Sequence, residues 1–273
     1  MSDVLKKEDY EEPACLLNMN REPIKPVPQA RIQEKLEEYM SRRDYAAVGR
    51  HLLYWLEEAK IGHDVRGELM IRNEMVGHYR KNNEKDKAFE QAEIVLKMIE
   101  DPDYEGSATA GTSLINCATA YNAFGENERS LELFRKAKEI YEKIPNLDPE
   151  LLGGLYNNMA LPCTALGRYT EAHQLYTAAA VQMKKVRNGE LEQAITCLND
   201  ANVYEAELGM EAAESKIFEL LDKAEELLGT EGVPHDGYYA FVCEKCAPTF
   251  RYYGYFMTAD SLEQQAKEIY ERD

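Results

Sequence analysis

The stretch Tyr156-Asn-Asn-Met-Ala-Leu-Pro-Cys-Thr-Ala-Leu-Gly-Arg-Tyr-Thr-Glu-Ala-His-Gln-Leu-Tyr176 decides the fold. A small residue, Ala160, is followed three positions later by Cys163 and four after that by Gly167. Beyond the glycine, Ala172, Tyr176 and Ala179 recur at intervals of four and three. Such spacings place side chains on one stripe of an α-helix, and glycine readily takes the left-handed conformation that ends a helix. The stretch reads helix, tight turn, helix.

The same pattern returns on both sides of it. It appears as Val76–Tyr79–Asn83, Ala118–Tyr121–Gly125 and Ala247–Phe250–Gly254, as Ala201–Tyr204–Gly209 with one extra residue, and in a weaker form as Leu36–Tyr39–Arg43. Measured on the bulky position, the steps are 40, 42, 42, 41 and 46 residues. Second stripes follow each turn at Val48–Leu52–Trp55, Ala88–Ala92–Val95 and Ser130–Phe134–Ala137. The fifth is blurred around Phe218 and Leu221, and the sixth has Glu263 between Ala259 and Ala266. Breakers separate the units: Asp101-Pro-Asp, Pro145-Asn-Leu-Asp-Pro149, Asn188-Gly189 and Gly229-Thr-Glu-Gly-Val-Pro234. The spacing predicts helix pairs over about 30–60, 64–100, 107–143, 148–187, 190–228 and 237–271, and no sheet. Pro162 and Pro248 fall inside first helices, where each removes a backbone bond and bends its helix.

One pair could not fold alone. Ordering about 40 residues costs on the order of 40–80 kcal/mol of backbone entropy, against roughly 1.5–3 kcal/mol returned per large apolar side chain buried. Stacking lets each helix bury two faces. The expectation is one all-α, right-handed α-solenoid of about six hairpins over residues 30–273. A proline-containing N-terminal extension over 1–29 precedes it, and its Cys15-Leu-Leu is a candidate for docking on the array.

The small–x–x–Tyr–x–x–x–Gly element, with aromatic and alanine positions on the second helix, resembles the tetratricopeptide repeat (TPR). The Asn-Asn-x-Ala start with Gly167, Tyr169 and Ala172 is similar to the repeats of kinesin light chains, and the pitch is similar to that of bacterial peptide-sensing regulators with helical repeats. The resemblance implies a scaffold for protein or peptide binding. It also implies that asparagines on the first helices contact a ligand's backbone.

On the wheel of the third first helix, Leu114, Cys117, Ala118 and Tyr121 cluster toward the partner helix, and Asn116 lies opposite with Asn122 nearby. Asn116, Asn158 and Asn199 each precede the small packing residue by two, at intervals of 42 and 41, and Asn73, Asn157 and Asn202 lie close to the same strip. An amide carries a donor and an acceptor on one short arm. A ladder of amides can therefore bond an extended peptide, or it can bridge neighbouring helices. Arg80 and Arg251 complete the candidate surface, but they lie far apart, which argues against a carboxylate clamp.

The 273 residues carry 50 acidic and 32 basic side chains, for a net charge of −18. That balance disfavours nucleic acid and anionic membrane, whose binding rests on Lys and Arg, and favours a basic or neutral partner. With no export pattern at the N-terminus, no membrane-length apolar run and scattered cysteines, the expected setting is the cytoplasm. Cys243-Glu-Lys-Cys246 has zinc or redox spacing, but zinc needs four ligands, so burial is the expected role. Neither catalytic residues nor a cofactor is expected. The function expected is a non-catalytic binding scaffold. The alternative is a peptide-responsive regulator of a second protein, and because no helix-turn-helix precedes the repeats it would not itself read DNA. The last helix, through Ala266, Ile269 and Tyr270, offers a surface for self-association.

Overall fold

The computed structural model describes residues 24–272. Among them are twelve α-helices and no strand, joined in sequence as six hairpins. The first hairpin is α1 (Gln29–Ser41) and α2 (Tyr45–Ile61), the second α3 (Val65–Lys81) and α4 (Lys85–Met98). The third is α5 (Ala108–Ala123) and α6 (Asn127–Tyr141), the fourth α7 (Pro149–Ala165) and α8 (Tyr169–Met183). The fifth is α9 (Glu190–Leu208) and α10 (Met210–Leu228), the sixth α11 (Gly237–Tyr252) and α12 (Phe256–Tyr270). Each of the six expected pairs is present.

Local chemistry sets the boundaries. Asp64, Ser107, Asp148 and Asp236 cap the N-termini of four odd-numbered helices by accepting from backbone amides. Every hairpin turn contains one residue at positive φ: Arg43, Asn83, Gly125, Gly167, Gly209 and Gly254. In the fifth hairpin the extra residue is absorbed by helix. α9 runs on to Leu208, and Gly209 at φ 80° is the whole connection to α10.

α2, α4, α6 and α8 each pack against both their own partner and the next odd-numbered helix, whereas α11 meets the preceding hairpin mainly through α9. Successive odd-numbered helices from α3 to α11 also touch one another, and no comparable contact joins successive even-numbered helices. Two layers so joined must curve, with the odd-numbered helices inside. The apolar core follows the stack in three clusters: hairpins one and two around Leu52 and Ile71, hairpins two to four with Val203 of α9 around Tyr121 and Phe134, and hairpins five and six around Leu221 and Phe250.

Several expectations are corrected. The array starts before residue 30: Val27 is buried, its amide donates to Asp64 Oδ2 at 2.8 Å, and the Lys25 amide donates to the Gly62 carbonyl at 2.8 Å. The proposed docking of Cys15-Leu-Leu lies outside the described residues. Cys117 and Tyr121 reach the preceding hairpin as well as their own partner helix, from which the Arg129 guanidinium lies 4.2 Å from the Tyr121 ring. The Cys117 thiol approaches the Ala92 carbonyl, and the Tyr121 ring lies 4.6 Å from Phe89. The fifth second-helix stripe is Ala213, Ile217, Leu221, Ala224 and Leu228, with Phe218 at its edge. In the sixth, Leu262 supplies the buried apolar residue and Glu263 pairs with Arg251 outside. Pro162 and Pro248 interrupt neither α7 nor α11. Cys243 and Cys246 are buried, and desolvation pushes their thiols up to about 11 and about 12. Both pack in the cluster of the last two hairpins.

Candidate functional site

The concave face consists of what the odd-numbered helices leave uncovered. Counting from the small packing residue of each repeat, the position two before it carries Glu34, Glu74, Asn116, Asn158, Asn199 and Lys245. The position one after it carries Glu37, Gly77, Thr119, Leu161, Asn202 and Pro248, and all twelve residues are partly or fully exposed. Two glycines open this floor further. A Cβ on Gly77 or Gly154 would meet nothing within 4 Å. A helix-interior glycine gives up about 0.5–1 kcal/mol relative to alanine, and packing does not require it at either position.

The sequence-predicted amides divide into two sets. Asn73 bonds within the scaffold: its Nδ2 donates to the Leu69 carbonyl and to Ser113 Oγ, both at 3.0 Å, and its Oδ1 accepts from Asn116 Nδ2 at 3.2 Å. Asn157 is buried and accepts from the Thr196 hydroxyl at 3.0 Å, tying α7 to α9, while its Nδ2 is buried without a partner. Asn122 donates to Asn127 in its own turn at 2.9 Å. Asn202 is exposed and accepts from the Tyr253 hydroxyl at 3.0 Å. Asn158 and Asn199 are half-buried, and their side chains make no hydrogen bond among the described residues. The second set is thus Asn158 and Asn199, with Asn116 shared between both roles. Pro162, lacking an N–H, also removes the donor that the Asn158 carbonyl would take in a regular helix.

The two arginines differ. Arg251 is held by Asp260 at 2.8 Å and Glu263 at 2.9 Å on α12, so it is committed to its own hairpin. Arg80 is half-buried at the end of α3, where desolvation lowers its pKa. Neighbouring Lys81 is lowered for the same reason, with the Arg80 charge adding to it. On the same helix, burial holds the Glu74 carboxyl above its usual range. Glu74 and Lys81 are nevertheless exposed, and Arg80 alone of the three is half-buried.

Sequence reasoning missed the aromatic end of the trough. On α11, Tyr238, Phe241 and Tyr252 are 46%, 47% and 68% exposed. The Tyr238 hydroxyl donates to Glu192 and the Tyr252 hydroxyl to Glu205 at 2.7 Å, both on α9. The signal was present in the repeat register: Phe241 stands where Gly154 and Ile195 stand, and Tyr252 where Ala165 and Ala206 stand. At the joint between hairpins four and five, His173 of α8 lies between two carboxylates of α9, with Nδ1 2.5 Å from Asp200 and Nε2 3.2 Å from Glu207, and its ring is 4.1 Å from that of Tyr204. These polar contacts, with Val203 of α9 packed in the cluster of hairpins two to four, join the two larger core clusters.

No protein-family model matches the chain, and no curated protein is significantly similar to it in sequence. Among solved structures, it is similar to the nearly identical TPR-like repeats of a kinesin light chain from Podosopora anserina, at 20% identity and TM-score 0.51 over 72% of this chain and 92% of that one. A variant structure of the same repeats gives 21% identity and TM-score 0.54 over 76% and 95%. With the helix order, the hairpin turns and the layered stacking, these likenesses lead to one conclusion: the chain is an all-α solenoid with the TPR-like repeat fold.

Proposed function

We propose that the chain is a non-catalytic scaffold that holds an extended peptide segment of a partner protein along its concave face. One observation carries this reading: Asn158 and Asn199 hold equivalent places on successive inner helices and make no side-chain hydrogen bond among the described residues, and one turn before Asn158 the backbone at Gly154 is uncovered. An amide pair at repeat spacing can bond peptide N–H and C=O groups regardless of sequence, each bond contributing about 0.5–1.5 kcal/mol net. Tyr238, Phe241 and Tyr252 supply apolar area at one end, where such a segment would anchor. The net charge of −18 favours a basic or neutral segment. Among the described residues no helix is long and apolar enough to cross a membrane.

The test is to pan a phage-displayed library of randomised peptides against the full chain. Selected peptides should bind about tenfold more weakly to the double variant Asn158→Ala/Asn199→Ala, the loss of about 1.4 kcal/mol expected for two such bonds. Gly154→Leu, which fills the floor, should abolish binding without lowering the melting temperature. Peptides that bind all three proteins equally would place the binding surface elsewhere.

A further inference from the structure

The first hairpin touches the last. Arg43, in the turn between α1 and α2, forms an ion pair with Glu244 of α11, 201 positions away in sequence. Its guanidinium carbon also lies 4.5 Å from the ring centroid of Tyr270 on α12, and the Tyr270 hydroxyl donates to Glu244 at 3.4 Å. We propose that Arg43, Glu244 and Tyr270 form a releasable clasp that closes the six-hairpin array head to tail and so controls access to the concave trough from the side. The second half of that statement rests on the peptide-binding reading given above; the closure itself does not.

Three observations converge. First, Glu244 occupies the repeat position held by Asn73 and Asn157. Both of those amides face the next hairpin, where Asn73 reaches Ser113 and Asn157 reaches Thr196. Glu244 therefore faces the place of a seventh hairpin, and the turn of the first hairpin fills it. Second, Tyr270 belongs to the same end face, and in the sequence its side chain had no evident cover. Arg43 supplies that cover by stacking, a favourable contact between a guanidinium and an aromatic face.

Third, Arg43 is the wrong residue for its turn. The equivalent positions are Asn83, Gly125, Gly167, Gly209 and Gly254, all at positive φ, and Arg43 adopts φ 54°. That region is unfavourable for a residue with a long side chain. The local turn gives no reason for arginine, whereas the reach to Glu244 and Tyr270 does.

The clasp is built to release. The side chains of Arg43 and Glu244 remain 51% and 43% exposed, so water and salt compete for the pair. The fold also has a place to bend: among the inner helices from α3 to α11, successive helices touch least between α7 and α9, which meet through the Asn157–Thr196 bond. Closed, the array admits a chain end along its axis. A segment flanked on both sides by folded domains enters once the clasp opens.

Spin labels at Glu37→Cys and Lys245→Cys, in a Cys15→Ser background of the full chain, report the gap across the clasp by pulsed electron resonance. The unmodified clasp should give a short, narrow distance distribution at low salt that broadens at high salt. Arg43→Glu and Glu244→Arg should each lengthen and broaden it at low salt, and the charge-swapped double variant should restore it, all at unchanged helix content. Equal distributions in the single variants and the parent would overturn closure. So would loss of the short distance on dilution, which would mean Arg43 pairs with a second copy. The control of access is read separately with a peptide from the display selection, fused between two folded domains. Its association should be several-fold faster with Arg43→Glu than with the parent, and equal rates would overturn the gating. If the selection returns no trough-dependent peptide, the peptide-binding reading and the gating built on it fall together, while the spin-label distances still decide closure.

Discussion

At the scale of single residues, adjacent asparagines do different work because they point about 100° apart on a helix. Asn157 turns sideways to Thr196 and is buried, while Asn158 turns inward and makes no hydrogen bond among the described residues. The repeat register identifies both as candidates but cannot separate them, since it does not state on which flank the next helix lies. A comparison of alanine variants follows from the bonding. Asn73→Ala breaks bonds to Leu69, Ser113 and Asn116 and should lower stability by about 1–3 kcal/mol in urea titration. Asn157→Ala removes a buried donor that already lacks a partner, and Thr196 keeps its 2.7 Å bond to the Glu192 carbonyl. Its cost should stay below about 1 kcal/mol. Equal losses in the two variants would contradict this division of roles.

At the scale of the helix and the hairpin, most of the fold was legible. Periods of three and four, turn residues at fixed offsets and breakers between pairs gave six hairpins, because each of those signals is local. What was less legible depends on neighbours. The cover of Cys117 and Tyr121 by the preceding hairpin, the packing of Leu262 in place of Glu263 and the aromatic end on α11 are set by stacking, which no single repeat encodes. Two glycines on inner helices separate packing from function. A Cβ on Gly111 would sit 2.2 Å from the ring of Tyr141, which is buried, so Gly111→Ala should destabilise by about 1–3 kcal/mol. Gly154 faces open space, and Gly154→Ala should stabilise by about 0.5–1 kcal/mol through the gain in helix propensity. Opposite signs of the two changes in urea midpoint check the assignment of the inner face.

At the scale of the whole molecule, the divided core bears on cooperativity. Stability in stacked repeats is a sum of unit and interface contributions, so clusters that share only part of one hairpin unfold with less mutual support than a continuous core. Trp55, the single tryptophan, packs with the cluster of the first two hairpins, whose core is the smallest of the three. Its fluorescence should therefore report a lower urea midpoint than far-ultraviolet circular dichroism, which averages all twelve helices. Coincident curves from the two probes would show that the three clusters unfold as one.

The contact between Arg43 and the terminal hairpin also sets a limit on how this gene can change length. Open solenoids gain or lose a unit by duplication or deletion and still fold, since each unit touches its neighbours alone. Here a seventh unit would carry Glu244 and Tyr270 out of reach of Arg43, and a loss to five would leave a gap no side chain spans. An array whose first described hairpin touches its sixth is counted by geometry.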